Sequence, residues 1–532
     1  MELQLIYQQN ASAEKLWSFL DKIYDRITLD EIRINGLNHL LIKIPDSESK
    51  TRKSLNTLQA INNCLDEETL TEILKANNIY LINNEEGLIR SYEILICNLD
   101  ILSIRLVYHD RKYKPKYLRE SENRKLSELA KRIFLILGLD IGLIRLAYTT
   151  RRRLRVIGVE PSPILRERDL KRILNRIDEI RELDKLLPTI NVKLGADPEF
   201  MIFNSKSNRL LSASRFFPRD GVVGCDNIRM ASRQQRPVAE IRPNPSFCPL
   251  RLSNNIKQAL DQANRMAPYQ NIKWLAGSQP GGTYSIGGHI HFSNIQLTAH
   301  LIRALDNYLA IPIFLIEEPV PATRRRRRYG YLGDYRVKDY GGFEYRTPAS
   351  WLVSQEITTA VLCLAKIIAS SYYMLSKNFL NSVEAQKAFY SGNQDFLRPV
   401  FPELWADIKK TEMYFEYEEE LKIIPELIFN NLTWNEKSDF RKAWKLKPTR
   451  RRPLRSSSDS SQRSSISQTR SPTATRVSPR SGSRRIRTSN SRSQTRVSAT
   501  PTRGGNNPAR SNNPRQGRII TSAQVRRTHI VR

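Results

Sequence analysis

Cysteine is scarce in this 532-residue chain: five residues, Cys64, Cys97, Cys225, Cys248 and Cys363, scattered without a CxxC spacing. An odd, dispersed set argues against a disulfide frame or a cysteine zinc site, and predicts free thiols in a reducing, cytoplasmic compartment. The opening MELQLIYQQN lacks a basic stretch followed by an apolar core, so no signal peptide is read there. Long uninterrupted apolar runs are also missing. The most apolar stretch, residues 358–375, contains Lys366 and several small polar residues, which predicts a buried helix and no membrane span. Nor is there a Ser–His or Cys–His arrangement suited to a protein nucleophile.

Charge is plentiful and unevenly placed. Residues 449–532 hold twenty arginines, no lysine and one acid, Asp459, so about nineteen of the formal +32 lie there. That stretch is otherwise Ser, Thr, Pro and Asn, with hardly any bulky apolar side chain to offset the entropy of ordering. It predicts a disordered basic tail suited to sequence-independent contact with a polyanion or nucleic acid. Without interleaved aromatics, base stacking is not expected of it.

Four regions follow from pattern and composition. Residues 1–116 read as a small α+β region with strands at 37–44, 78–84 and 101–109 and a helix between the first two. Residues 117–190 read as an α+β extension ending in a charged helical connector. Residues 191–446 alternate strands with amphipathic helices, one of them carrying Leu252, Ile256, Ala259, Leu260 and Ala263 at helical spacing. Residues 447–532 are the tail.

The third region concentrates the chemistry. Four short strand-like segments each carry two ionisable residues two apart: Asp197/Glu199, Glu240/Arg242, His289/His291 and Glu344/Arg346. On a strand, residues two apart share a face. If the strands lie in one sheet, that face gathers four carboxylates, two imidazoles and two guanidiniums. Each unpaired buried ion costs several kcal/mol, on the order given for buried charges, so a metal-and-phosphate site is the natural reason for such a set. Asp197 and Glu199 offer hard oxygen ligands to Mg²⁺ or Mn²⁺; Glu240, Glu344 and His289 complete the expected cage. Gly281, Gly282, Gly287 and Gly288 allow tight turns beside it. The segment RRRRRYGYLGDYR (324–336) supplies arginines for phosphate or carboxylate, with Gly330 and Gly333 letting the loop fold over a nucleotide. Acids for metal and arginines for phosphate together predict ATP.

The ordered motifs GADPEF, AEIRP, GGHIHF, the RR…YG…YR loop and EYRTP resemble the phage-type COOH–NH2 ligases, amidoligases of the glutamine synthetase and γ-glutamyl-cysteine ligase superfamily. The resemblance covers roughly residues 192–375. It implies an α+β fold with an antiparallel sheet forming an active-site funnel covered by helices, and a divalent metal held by Asp197, Glu199, Glu240, His289 and Glu344. It implies ATP-dependent joining of a small-molecule or peptide carboxylate to an amine through an acyl phosphate. By motif, His291 lies near the nucleotide phosphates with Arg242, Tyr329 and Gly330. One or more of Arg327, Arg328 and Arg336 stabilises the transferring phosphoryl group, and Arg346 holds phosphate or substrate carboxylate. The run of five arginines departs from the usual pattern and leaves the choice among them open. The alternative is an inactive ligase-like domain whose basic tail carries the function. A second, fainter similarity links residues 137–163 to the last strands of ATP-grasp enzymes, with Gly158, Glu160 and Arg145 departing from that pattern's acidic and Asn positions.

Overall fold

A computed structural model describes residues 2–45, 52–82, 88, 90–108, 110, 112–149, 151–231 and 234–447. The expected disordered tail lies outside the described residues.

The N-terminal region opens with strand β1 (Glu2–Gln8) and a helix, Ala11–Ile23, whose first turn is capped by the Asn10 side chain accepting from Ser12 N and Ala13 N. Strands β2 (Thr28–Ile34), β3 (Leu37–Ile44) and β4 (Arg52–Leu55) complete a sheet in the order β2-β3-β1-β4. A second, antiparallel sheet follows in the order β7-β6-β5-β8-β9, from β5 (Arg90–Cys97), β6 (Asp100–Tyr108), β7 (Lys116–Leu118), β8 (Ile141–Tyr148) and β9 (Leu154–Glu160). It joins strands from both sides of residue 116. The strand expected at 78–84 is not formed among the described residues. Leu81 makes a single parallel bridge to Val156, and residues 83 and 84 lie outside them. The ATP-grasp-like departures are tied together: Arg145 pairs with Glu160 at 3.2 Å and lies over Gly158, where an added Cβ would meet its Nη2 at 2.6 Å.

Helix Arg124–Ile136 buries Ala130, Ile133 and Phe134 in a hydrophobic core continuous with that of residues 191–446. Polar ties cross the same junction. Arg303 Nη2 meets Asp140 Oδ1 at 2.5 Å, and Asn63 Nδ2 donates to the Asn381 carbonyl at 2.8 Å.

Residues 193–345 contribute nine strands in two sheets where one was expected. The first runs β10 (Lys193–Ala196), β16 (Ile290–Ser293), β18 (Phe343–Tyr345), β17 (Tyr335–Val337). The second runs β12 (Leu210–Leu211), β11 (Glu199–Asn204), β14 (Val238–Ile241), β13 (Val223–Cys225), with β15 (Ile272–Leu275) also on β11. The break falls at Pro198, which has no N–H to continue a ladder. The amides on either side still bond the segment leading into β16: Asp197 N to the His289 carbonyl at 3.3 Å and Glu199 N to the Gly287 carbonyl at 2.9 Å. The two sheets are therefore stitched edge to edge at the paired acids.

Helices Pro249–Met266 and Gln355–Ser371 pack together against these sheets, the first burying Leu252, Ile256, Ala259, Leu260 and Ala263. The stretches Ala299–Ile316 and Gln355–Met374 are long and apolar enough to cross a membrane, but most of each is buried within the protein core. All five cysteines are unpaired, and only Cys248 is exposed.

Candidate functional site

Register fixes which side chains meet. Across β16–β18, His291 stands opposite Glu344, and across β17–β18, Arg336 stands opposite the same Glu344. Across β11–β14, Glu199 stands opposite Glu240. Glu344 and Arg336 of the first row and both acids of the second line one cavity of about 680 Å³, with Asp197, His289 and Arg346, while His291 lines the adjoining cavity. The two-residue spacing read from the sequence thus brings charged groups from all four segments together at that cavity.

Asp197 lies between the two imidazoles. His289 Nδ1 donates to Asp197 Oδ1 at 2.9 Å, and His291 Nε2 lies 3.1 Å from Asp197 Oδ2. Burial opposes the charge on Asp197, but the two histidines outweigh it and hold its pKa well below the usual carboxylate range. The other imidazole nitrogen of His289 accepts from the Tyr329 hydroxyl, whose oxygen accepts from Arg346 Nη2 at 3.0 Å. Burial, reinforced by the Glu199 charge, keeps the Tyr329 phenol neutral.

Glu344, 1 % exposed, is the electrostatic hub. Lys338 Nζ at 2.5 Å, Arg346 Nε at 3.1 Å and Arg336 Nη1 at 3.4 Å all reach its carboxylate. Burial and the Asp197 charge push its pKa up, yet His289 and Lys338 leave it below the ordinary value. Glu199 and Glu240 behave oppositely. Burial is the main cause in both, reinforced by Asp226 and Glu240 at Glu199 and by Asp197 at Glu240; it raises Glu199 well above the usual range and Glu240 to about 8. Glu199 Oε2 accepts from Gly287 N at 2.7 Å, and Glu240 is bonded by Arg242.

The donor set fits a hard divalent cation. Asp197, His291 and Glu344 each offer one ligand atom, and these atoms lie within 4.8 Å of one another. The buried His291 Nε2 has its one close polar neighbour in Asp197 Oδ2, at 3.1 Å, and no further hydrogen-bond partner among the described residues. His291, expected near phosphate, is one of this trio. His289 instead spends its nitrogens on Asp197 and Tyr329.

The five-arginine run divides in two. Helix Pro319–Arg326 ends inside it. Arg325, 1 % exposed, donates to the carbonyls of Ile286, Arg346, Thr347 and Pro348 at 2.7–3.1 Å, clamping the two site segments together. Gly330 is the close-approach position there: its φ is +68°, and a Cβ would meet Arg325 Nη1 at 2.1 Å. Arg326 pairs with Glu317 at 2.7 Å and lies over Phe314 and Phe389. Arg324, Arg327 and Arg328 are exposed, and Arg328 lines the cavity.

Sequence reasoning missed Lys338 and Asp226, both on the cavity wall. Lys338 had a signal, since it stands two residues after Arg336 and obeys the same spacing rule. Asp226 had none: it follows β13, and only the pairing of β13 with β14 brings it near Glu199 and Glu240.

Residues 194–446 match the phage phiEco32-like COOH.NH2 ligase-type 2 family. This segment, just under half of the chain, is similar to that family. The ligase domain is thereby a carbon–nitrogen ligase, and the motif order read from the sequence agrees with it. No curated protein matches the chain. Among solved structures, the macrocyclase MdnB from Microcystis aeruginosa MRC is similar at 11% identity over 32% of this chain and 93% of its own, with a TM-score of 0.20. A bifunctional glutathione synthetase from Pasteurella multocida is similar at 11% identity over 51% of this chain and 54% of its own, with a TM-score of 0.30. An ATP-grasp ligase from Chryseobacterium gregarium gives 12% identity over 33% and 51%, with a TM-score of 0.14. Similarity at this level carries no argument, and the ligase domain rests on its family and its geometry.

Proposed function

We propose that the ligase domain joins a carboxylate to an amine at the expense of ATP, through an acyl phosphate, at a Mg²⁺ or Mn²⁺ site in a glutamine-synthetase-like antiparallel funnel. The observation that carries this reading is the convergence of Asp197, His291 and Glu344 beside Lys338, Arg336 and Arg346. In it, Asp197, His291 and Glu344 hold one cation, while Glu199 and Glu240 face each other where a second positive charge relieves their mutual repulsion. Bound cations supply charge neutralisation at the phosphoryl oxygens.

The residues act on charge and position. Arg346 and Arg336 orient the substrate carboxylate and the γ-phosphoryl group by charge-assisted hydrogen bonds. A carboxylate oxygen attacks the γ-phosphorus, the bond to the β-phosphate oxygen breaks, and ADP leaves. Lys338, Arg336 and Arg328 stabilise the charge that develops on the transferring group. The amine nitrogen then attacks the acyl carbon, loses a proton, and displaces inorganic phosphate that carries one former carboxylate oxygen. Tyr329 holds His289 and Arg346 in place throughout. The adjoining cavity of about 610 Å³, walled by Pro243, Pro245 and Tyr340 and opening at His291 and Lys338, suits the nucleoside.

The test uses the full chain with Mg²⁺, ATP and ¹⁸O-labelled carboxylates plus amines. The expected products are ADP, an amide, and phosphate bearing one ¹⁸O. Formation of AMP and pyrophosphate, or unlabelled phosphate, contradicts the acyl-phosphate route.

A further inference from the structure

A second cleft, of about 490 Å³, lies between helix Arg124–Ile136 and the segment Tyr331–Val337. It shares Arg336 and Arg346 with the ligase cavity, so those two arginines form a common wall. The other wall comes from outside the family segment 194–446. The two walls are packed firmly: the Arg132 guanidinium lies 3.8 Å over the Tyr331 ring, and Gly333 sits against Leu135.

The charges lining this cleft are of both signs. Arg124, Glu128 and Lys131 stand on one helix face by their i, i+4, i+7 spacing. From Arg132 at the site end to Arg124 is eight residues, about 12 Å at about 1.5 Å per residue. That is the reach of about three extended residues. Arg124 pairs with Glu128 at 2.8 Å and Lys131 with Glu120 at 2.8 Å; Arg124, Glu128 and Glu120 keep much of their surface exposed. Such pairs are weakly held and exchange readily for a ligand. The buried Nε of Arg132 has no hydrogen-bond partner among the described residues.

We infer that this cleft is the acid-substrate pocket of the ligase, taking an amino acid or short peptide whose carboxylate reaches Arg336 and Arg346 and whose ammonium group meets Glu128. The inference rests on the proposed ligase reading and adds to it a substrate class and a role for the N-terminal region. Guanidiniums at the shared wall favour a carboxylate held bidentately. Glu128 and Glu120, held by exposed pairs with Arg124 and Lys131, can exchange those partners for an ammonium group, so a ligand bearing both charges answers both kinds of wall. An uncharged amine or a plain monocarboxylic acid leaves one wall unanswered.

The test uses the full chain with Mg²⁺, ATP and hydroxylamine, which converts an acyl phosphate to a hydroxamate without knowledge of the natural amine. The acids supplied are the twenty amino acids, their glycyl dipeptides, and acetate and succinate. Hydroxamate is expected from amino acids or dipeptides. The exposed-position variant Glu128→Lys is expected to raise KM for that acid at least tenfold, and Arg124→Glu, which frees Glu128 and adds a second acid, to lower it, each with KM for ATP unchanged. Unchanged KM for the acid, or hydroxamate from acetate or succinate alone, overturns the pocket. Binding of Mg·ATP by calorimetry with no hydroxamate from any acid overturns the substrate class alone, whereas absence of Mg·ATP binding overturns the ligase reading itself.

Discussion

His291 stands directly opposite Glu344 in the antiparallel pair β16–β18, yet its Nε2 has no hydrogen-bond partner among the described residues beyond its 3.1 Å approach to Asp197 Oδ2. A buried imidazole nitrogen so sparsely partnered loses hydrogen bonding that water would have supplied. Its surroundings, Asp197 and Glu344, are what a divalent cation requires.

His291→Asn is expected to lower stability by only about 1 kcal/mol, since the one polar contact it gives up is that with Asp197 at 3.1 Å. The same substitution removes a ligand and is expected to weaken Mn²⁺ binding at least tenfold. Asp197→Asn differs, because it also weakens the hydrogen bond from His289 and lowers stability. Urea unfolding beside metal titration separates the two.

Arg325 and Arg327 make opposite predictions although they are two residues apart. Arg325→Lys cannot fork to four carbonyls and is expected to cost about 1–3 kcal/mol, the range for leaving a buried acceptor unpaired. Arg327→Lys, at an exposed position, is expected to stay within about 0.5 kcal/mol. Denaturant midpoints of the two variants decide it.

Gly288 sits where an added Cβ would meet the Ala349 carbonyl and the Trp351 ring at 2.5 Å. Neither neighbour is a flexible chain end. Gly288→Ala is expected to destabilise by about 1–3 kcal/mol, the usual cost of overpacking, and to displace His289 next to it. Calorimetric unfolding and metal affinity should fall together.

Stability should depend on pH through Glu436. Its carboxyl accepts from Ser278 N at 2.6 Å and Gln279 N at 3.2 Å, while burial, aided by Glu317, raises its pKa to about 7. The folded state therefore keeps a proton that the unfolded chain releases near its ordinary value of 4.5. Stability is unaffected by this group below that value, falls as pH rises, and levels off above about 7. The loss is on the order of 3 kcal/mol from linkage. Glu436→Gln should flatten the slope between pH 5 and 7 in urea titrations.

Much of the site was legible because strand periodicity is local. Pairs two apart at Asp197/Glu199, His289/His291 and Glu344/Arg346 share a face whatever the partners are, and the same rule covers Arg336 and Lys338. The division of the arginine run was not legible. Arg325 and Arg326 turn inward only because the helix Pro319–Arg326 ends there and docks against Phe314, Phe389 and the carbonyls near Thr347. That both ring nitrogens of His289 are engaged depends on Tyr329, which lies outside the strands that carry the paired residues. Strand β1 and helix Ala11–Ile23 were not singled out, and residues 78–84 looked like a strand but find only one bridge, Leu81 to Val156. Pro198, plain in the sequence, divides one expected sheet into two because a residue without an N–H stands at their junction.

The most direct measurement is anomalous X-ray scattering from crystals of the full chain grown with Mn²⁺ and a non-hydrolysable ATP analogue. The account predicts a manganese peak bounded by Asp197, His291 and Glu344, with analogue phosphate density reaching it from the side of Arg336 and Lys338. Manganese bound elsewhere, or phosphate density remote from those residues, would contradict it.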